Sequence, residues 1–154
     1  MASDIFLELS GLSGECKDMG HSNWIELTSF SFNVMRQTQD DLVSSGDKDK
    51  STRPELGNIS LSKKVDKTSP KLASAACSGA RYTAEIEFCQ ADSTQKVFLK
   101  YKLKKAHIVS YTLSGGSGFP TENFSLAYEE ISWSHPGSGM KGGWNVPDNK
   151  ESSS

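Results

Sequence analysis

The chain has 154 residues, enough for one domain to bury a hydrophobic core of useful size. It contains 17 basic and 19 acidic residues, so its formal net charge of −2 gives no general attraction to nucleic acid or to an anionic membrane. No apolar run approaches the roughly 18 residues that cross a bilayer. The first residues, MASDIFLELSG, lack the basic and apolar regions of a signal peptide. We therefore expect no nucleic-acid partner, no membrane insertion and no cleaved leader.

The three cysteines, Cys16, Cys77 and Cys89, are an odd number and form no CxxC pair. This usage is typical of reduced thiols in the cytoplasm rather than of a disulfide framework. We expect a protein made in the cytoplasm, and any export from the cell would use no cleaved leader.

Alternation of apolar and polar residues with a period of two predicts β-strands along most of the chain. The first three strands fall in DIFLELS, WIELTSFSFNV and NISLSKKV. The residues predicted to share one face of each strand are Ile5, Leu7 and Leu9; Trp24, Phe30, Phe32 and Val34; and Ile59, Leu61 and Val65. Segment 37–57 is a long polar connection, and loops of more than roughly 12–15 residues are usually functional or disordered.

One helix is predicted in the segment TSPKLASAACSG. Ser69 suits the N-cap, Pro70 the first helical position and Gly79 the position after the last turn. The residues expected on its buried stripe are Leu72, Ala73, Ala76 and Cys77. A helix of about nine residues is marginal by itself, so it must pack on a sheet.

The clearest hairpin joins ARYTAEIEFC to QKVFLKYKLK through a loop at 91–94. The predicted apolar cross-strand pairs are Phe88–Val97, Ile86–Leu99, Ala84–Tyr101 and Tyr82–Leu103. The opposite face pairs Glu85 with Lys100, an exposed ion pair worth at most ~1 kcal/mol. Further strands are predicted in HIVSYTLS, TENFSLAYEEISW and GGWNV, with a β-bulge at Glu129–Glu130, where the alternation slips.

The run GLSGECKDMGHSNWIEL, residues 11–27, carries several reactive side chains close together. Ser13 does not fit a nucleophile elbow, because Glu15 stands where the second glycine belongs. Cys16 and His21 lie in one loop, whereas thiolate–imidazole pairs usually converge from distant segments. Cys16, Asp18 and His21 supply three potential metal ligands, but no second cluster completes a site. The favoured interpretation is a structural turn in which Glu15 and Asp18 accept backbone hydrogen bonds and His21 bridges to a neighbouring strand.

The remaining motifs predict no catalytic, metal or cofactor site. The glycine-rich run 114–118 lacks the Lys-Ser/Thr ending of a phosphate loop. The run Asp47–Lys50 lacks the glycine and glutamate of a calcium loop. Lysines 96, 100, 102 and 104, with Glu85 and Glu87 on the partner strand, predict a solvated charged face.

The residues alone therefore predict an all-β barrel or sandwich with one helix and a long protruding loop, which assembles with copies of itself. Two other classes stay open at this point. One is a small β-barrel that binds a soluble ligand, and the other is a hydrolase that uses Cys16 or Ser13.

Four segments in order resemble the haemolysin-coregulated protein (Hcp) family, the tube subunits of type VI secretion systems. The opening DIFLELSGLSGECKDMGHSNWIELTSFSF resembles the family's first strand, G-x-x-G-E turn and "IE" strand. The segment LSKKVDKTSPKLASAACSG resembles its K-x-x-D-x-x-S-P-x-L approach to the helix. PTENFSLAYEEISW and GGWNVPDNK resemble its last strands and ending. A phage-type tail-tube protein is the nearest alternative.

The resemblance implies an all-β barrel of two antiparallel sheets with one short α-helix and a long extended loop, forming hexameric rings. It implies a structural protein without enzymatic activity or cofactor. Rings stack into a tube that contacts sheath and spike proteins and carries small effector proteins in its lumen. The subunit is first cytoplasmic and is then secreted by the type VI system. We expect residues 1–148 to form one domain and residues 149–154 a solvated tail.

The resemblance also implies that the long loop reaches an adjacent subunit or ring. The residues predicted to make this stacking interface are Asp40, Asp41, Leu42, Val43, Asp47, Lys48, Asp49, Lys50 and Arg53.

Overall fold

The computed structural model describes residues 3–17, 20–36, 54–92, 94 and 96–151. Most of these residues lie in strands, and every strand pairing is antiparallel. The elements are β1 (Ser3–Leu9), β2 (Ile25–Leu27), β3 (Ser29–Ser31), β4 (Val34–Arg36), β5 (Pro54–Leu56), β6 (Ile59–Lys64), α1 (Ser69–Ser78), β7 (Tyr82–Gln90), β8 (Val97–Ser114), β9 (Thr121–Ala127), β10 (Glu130–His135), β11 (Met140–Asn145) and β12 (Lys150–Glu151).

Two sheets share the 18-residue strand β8. The large sheet has the order β12-β11-β10-β8-β7-β1-β2, and the small sheet has the order β8-β9-β6-β3. Strand β8 passes from one sheet to the other near Lys105, whose φ of 54° lies in the left-handed region. Strands β4 and β5 form a separate two-stranded arm. The predicted all-β fold of two antiparallel sheets with one helix is confirmed, but the described strands do not close into a barrel.

The hydrophobic core includes inward side chains of both sheets and is covered by α1. Leu72 and Ala75 are the buried residues of the helix, and Gly79 (φ 72°) ends it by donating its N–H to the carbonyl of Ala75 at 2.9 Å. The prediction of Cys77 on the buried stripe is wrong, because Cys77 is exposed. The predicted N-cap at Ser69 is also wrong: Thr68 is the N-cap residue, one position earlier.

The hairpin of β7 and β8 forms, but the predicted register is wrong by two residues. Phe88 lies opposite Leu99, and Ile86 lies opposite Tyr101. The connecting loop is one residue longer than predicted, since the N–H of Gln90 reaches the carbonyl of Lys96 at 3.0 Å. A further irregularity between Phe88 and Cys89 adds a second residue to β8. From Ala84 to Phe88 the two additions preserve the parity, so these side chains keep their predicted face. A further irregularity between Tyr82 and Ala84 places Tyr82 opposite Ala106 instead of the predicted Leu103.

Two other strand predictions are corrected in the same way. The prediction that Trp24 belongs to the buried face is wrong for β2, because Ile25 and Leu27 are the buried residues of that strand. The alternation changes its phase at Thr28, where the chain bends. The predicted bulge at Glu129–Glu130 is a break between β9 and β10, which belong to different sheets. Strand β12 lies within the predicted tail and pairs with β11. The division at residue 148 stays a prediction.

Candidate functional site

The polar turn between β1 and β2 is held by backbone pairing. Gly14 donates its N–H to Asn23 at 2.6 Å, and Cys16 donates to Trp24 at 3.1 Å. A Cβ on Gly14 would lie 2.3 Å from the carbonyl oxygen of Trp24, so only glycine allows this approach. Asn23 (φ 66°) takes the left-handed conformation that reverses the chain. The turn is therefore specified by backbone geometry.

His21 lies over the large sheet and is only 3% exposed. Its ring stacks on Phe6 with a centroid distance of 4.2 Å and meets the edge of Trp24. Its Nε2 lies 2.7 Å from Glu87 Oε1 on β7. Cys89 Sγ lies 3.7 Å from the same nitrogen. His21 thus contacts a distant strand of the large sheet by both packing and hydrogen bonding.

This arrangement does not have the geometry of a nucleophilic triad. A relay needs the carboxylate and the nucleophile on different imidazole nitrogens, whereas Glu87 and Cys89 both face Nε2 of His21. Cys89 is also fully buried, so a substrate cannot reach its sulfur. Ser13 is exposed on the outside of the turn. Among the residues that the structure describes, no group of three His, Cys, Asp or Glu side chains is arranged to hold a metal ion.

Glu15 and Asp18 were the other residues predicted to make the structural turn. Glu15 Oε2 accepts the backbone N–H of Lys67 at 2.5 Å, so the turn is tied to the segment that leads into α1. A groove of about 350 Å³ lies between the turn and this segment; Glu15, Glu26, Lys64 and Asp66 are among the residues that line it. Asp18 lies outside the described residues.

A buried polar cluster connects the small sheet to the start of α1. Lys63 and Glu122 are both fully buried and form an ion pair with a separation of 2.5 Å. The ammonium of Lys63 also donates to Asp66 Oδ1 at 3.0 Å and to the carbonyl of Lys64 at 2.9 Å. Glu122 accepts further hydrogen bonds from the hydroxyls of Ser69 and Tyr111. All three protons of the ammonium have acceptors, which a buried charge requires.

This cluster explains the motif K-x-x-D-x-x-S-P. Its Lys63, Asp66 and Ser69 contact one another directly or through Glu122. Ser69 cannot cap the helix, since its hydroxyl accepts from Asp66 N and donates to Glu122. Burial and the nearby carboxylate of Glu122 raise the pKa of Tyr111 to about 12. Sequence reasoning missed this cluster, although the period of two places both Lys63 and Glu122 on inward faces.

The outer face of the large sheet carries the predicted charged residues. Lys100 Nζ lies 3.4 Å from both Glu85 and Glu87, so the predicted pair of Glu85 with Lys100 forms. Partial burial lowers the pKa of Lys100, but the two carboxylates outweigh it, and the pKa lies above its ordinary value. Lys104 pairs with Glu130 at 3.7 Å.

Large apolar side chains are exposed at several places in the fold, among them Phe119, Met140, the two-stranded arm and the second half of β8. Val34 and Met35 lie on the two-stranded arm that flanks segment 37–53. Val109 and Leu113 lie on the second half of β8. The predicted stacking residues from Asp40 to Arg53 lie outside the described residues. No helix in the described ranges is long and apolar enough to span a membrane.

These features define a β-sheet protein with a charged outer face on the large sheet and a separate two-stranded arm. Residues 6–135 match the family model described as type VI secretion system effector, Hcp. The chain belongs to the Hcp family, whose members are structural, secreted tube proteins of type VI secretion systems and not enzymes.

Individual relatives agree with this assignment. Protein hcp1 of Pseudomonas aeruginosa is 27% identical, over 97% of this chain and 98% of its own length. A solved type six secretion system protein is 27% identical with a TM-score of 0.85, covering 98% of this chain and all of that one. Hcp1 from Salmonella typhimurium, at 23% identity and a TM-score of 0.83 over 98% of this chain and all of that one, shares the fold.

Proposed function

We propose that this chain assembles into hexameric rings, and that the rings stack into the inner tube of a type VI secretion system. Membership of the Hcp family supports a tube protein, and the six-fold ring is the oligomeric state that the family resemblance implies. The observation that carries the proposal concerns the two edges of the small sheet, at β3 on one side and at the second half of β8 on the other, which have no further strand partner among the described residues.

Unpaired strand edges expose backbone donors and acceptors that proteins normally cover. Among the described residues, β3 pairs only with β6, and residues 107–114 of β8 pair only with β9. Val109 and Leu113, 46% and 57% exposed, add apolar surface beside the β8 edge. Because the two edges lie on opposite sides of one sheet, a contact between them repeats from head to tail. Such a contact closes into a ring when the rotation from one subunit to the next is an integral fraction of a full turn.

The two-stranded arm supports a role for the long loop in stacking. Strands β4 and β5, which precede and follow segment 37–53 in the chain, pair with each other, and Val34 and Met35 on β4 are exposed. Exposed apolar side chains such as these favour a contact with a neighbouring subunit. We therefore propose that Asp40, Asp41, Leu42, Val43, Asp47, Lys48, Asp49, Lys50 and Arg53 contact the next ring.

The further partners follow from the class of machine. We propose that the stacked rings contact sheath and spike proteins, hold small effector proteins in the lumen, and leave the cytoplasm through the type VI system without a signal peptide.

Electron microscopy and mass photometry of the purified chain test the ring. The expected result is a six-fold ring with six times the subunit mass, and a strictly monomeric particle at micromolar concentration contradicts it.

A deletion of residues 40–52 tests the loop. It should leave the circular dichroism spectrum and single rings intact but shorten the stacks. Replacing the same residues with a Gly/Ser linker of equal length should also shorten the stacks, because the side chains are removed. Unchanged stacking and secretion in both variants would refute the role of the loop.

A further inference from the structure

The register of the large sheet arranges its charges in two rows that cross the strands. One row contains Glu26, Phe6, Glu87, Lys100, Ser134 and Lys141. The second contains Glu8, Glu85, Lys102 and Ser132. Residues opposite each other in neighbouring strands point to the same face. Both rows therefore lie on the outer face of the sheet, which we call the charged face.

Each row runs from acidic to basic in the same direction. Strands β2, β1 and β7 contain five carboxylates and no lysine or arginine. Six lysines, four on β8 and one each on β11 and β12, lie on the other side of the boundary between β7 and β8, together with two carboxylates, Glu130 and Glu151. Five strand spacings of ~4.8 Å place Glu26 about 24 Å from Lys141. The charged face thus has an acidic end at β2 and a predominantly basic end at β11 and β12.

The charges at the boundary are satisfied within the chain, whereas those at the ends are not. Lys100 pairs with Glu85 and Glu87 across the boundary. Glu8 and Glu26 at the acidic end are exposed, and neither has an ion-pair partner among the described residues. Lys141 on β11 and Lys150 on β12, at the basic end, are exposed and have no such partner in the same ranges. The unsatisfied charges of opposite sign are therefore those at the two ends.

We propose that the acidic end of one subunit docks against the basic end of the next copy of this chain. This inference rests on the proposed ring and names the surfaces through which neighbouring subunits of that ring meet. A second copy is the fitting partner, because both complementary surfaces lie on one sheet about 24 Å apart and repeat in the same direction. The contact is heterologous, since the acidic end of every subunit meets a basic end, as a closed ring requires.

The test uses two charge-reversed variants. The acid-reversed variant is Glu8→Lys/Glu26→Lys, and the base-reversed variant is Lys141→Glu/Lys150→Glu. Each alone places like charges together at every contact, so the ring fraction at micromolar concentration should fall at least tenfold in low salt. An equimolar mixture should restore rings of alternating subunits, because each reversed end then meets an opposite charge. One chain with all four substitutions should also form rings.

Two controls separate this contact from other effects. Lys67→Glu/Lys71→Glu has the same net charge as the base-reversed variant but changes the segment at the start of α1, so its ring fraction should stay as in the wild type. The circular dichroism spectra of all variants show whether the subunit fold is intact.

The wild-type result separates the inference from the proposed function. If the wild type forms no rings, the ring itself is wrong. If the wild type forms rings and both reversed variants do too, or if the mixture does not restore rings, the docking inference is overturned and the ring stands.

Discussion

Removing Glu122 should destabilise the subunit more than any surface substitution, because it leaves a charge buried without its main partner. In Glu122→Leu, the fully buried ammonium of Lys63 keeps only Asp66 and a backbone carbonyl as acceptors. The hydroxyls of Ser69 and Tyr111 also lose their acceptor. Breaking one side of a buried ion pair typically costs about 3–5 kcal/mol in free energy of unfolding. At about 2–4 °C per kcal/mol for a domain of this size, the melting temperature should fall by about 6–20 °C.

The double variant Lys63→Met/Glu122→Leu distinguishes an uncompensated charge from simple loss of packing. Replacing both charges with apolar side chains of similar volume is often close to neutral. The double variant should therefore be more stable than Glu122→Leu by about 2 kcal/mol or more.

Urea unfolding followed by tryptophan fluorescence measures these differences. All variants are compared at one protein concentration, because self-association adds to apparent stability. Glu129→Gln is the matched control, since its ion pair with Arg81 is exposed and should be worth at most about 1 kcal/mol. The reasoning is refuted if Glu122→Leu costs no more than the control, or if the double variant is less stable than the single one.

Three further substitutions test other parts of the fold. Gly14→Ala forces a Cβ against the carbonyl of Trp24 and should lower the free energy of unfolding, measured in urea, by about 1–3 kcal/mol. Gly20→Ala is the control, because its new Cβ meets open space and should cost far less. Equal losses of stability in the two variants would contradict the steric argument. The pKa of Tyr111 is raised to about 12, so its contribution to stability is complete below pH 10 and is lost as the pH rises through 12. In the wild type the free energy of unfolding should therefore fall over this range, and Tyr111→Phe should make that fall less steep. An unchanged dependence of the free energy of unfolding on pH would contradict this prediction. His21→Ala removes a buried stacked ring and should lower the free energy of unfolding by about 2–3 kcal/mol, and a loss below 0.5 kcal/mol would show that the ring only covers the sheet.

The strands were predictable from the sequence because a period of two determines which side chains share a face. The register of β7 and β8 was not, because loop length and bulges are set by local backbone geometry. The two errors in that hairpin left the faces unchanged, which is why Glu85 still meets Lys100. The break between β9 and β10 was read as a bulge, since a slip in alternation looks the same when the chain changes sheets.

The buried polar cluster was harder to predict, because its members are far apart in the chain. Lys63 and Glu122 meet only through the pairing of β6 with β9, and the sequence holds no local sign of that pairing. Tertiary contacts also explain the helix start, where Ser69 contacts Glu122 instead of capping α1. For His21, the expectation of a bridge to a neighbouring strand did not identify Glu87, since a loop can reach any strand of a sheet.

The pairing of β1 has a consequence for the order in which the new chain folds during synthesis. Ser3 lies opposite Gln90, so one side of β1 has no backbone partner until β7, more than 70 residues further along the chain, has been made. Pairing over such a long separation is slow, because loop closure must precede it. Strand β1 therefore emerges from the ribosome well before its place beside β7 exists. Its protection against aggregation during that interval depends on the rate of translation and on chaperones.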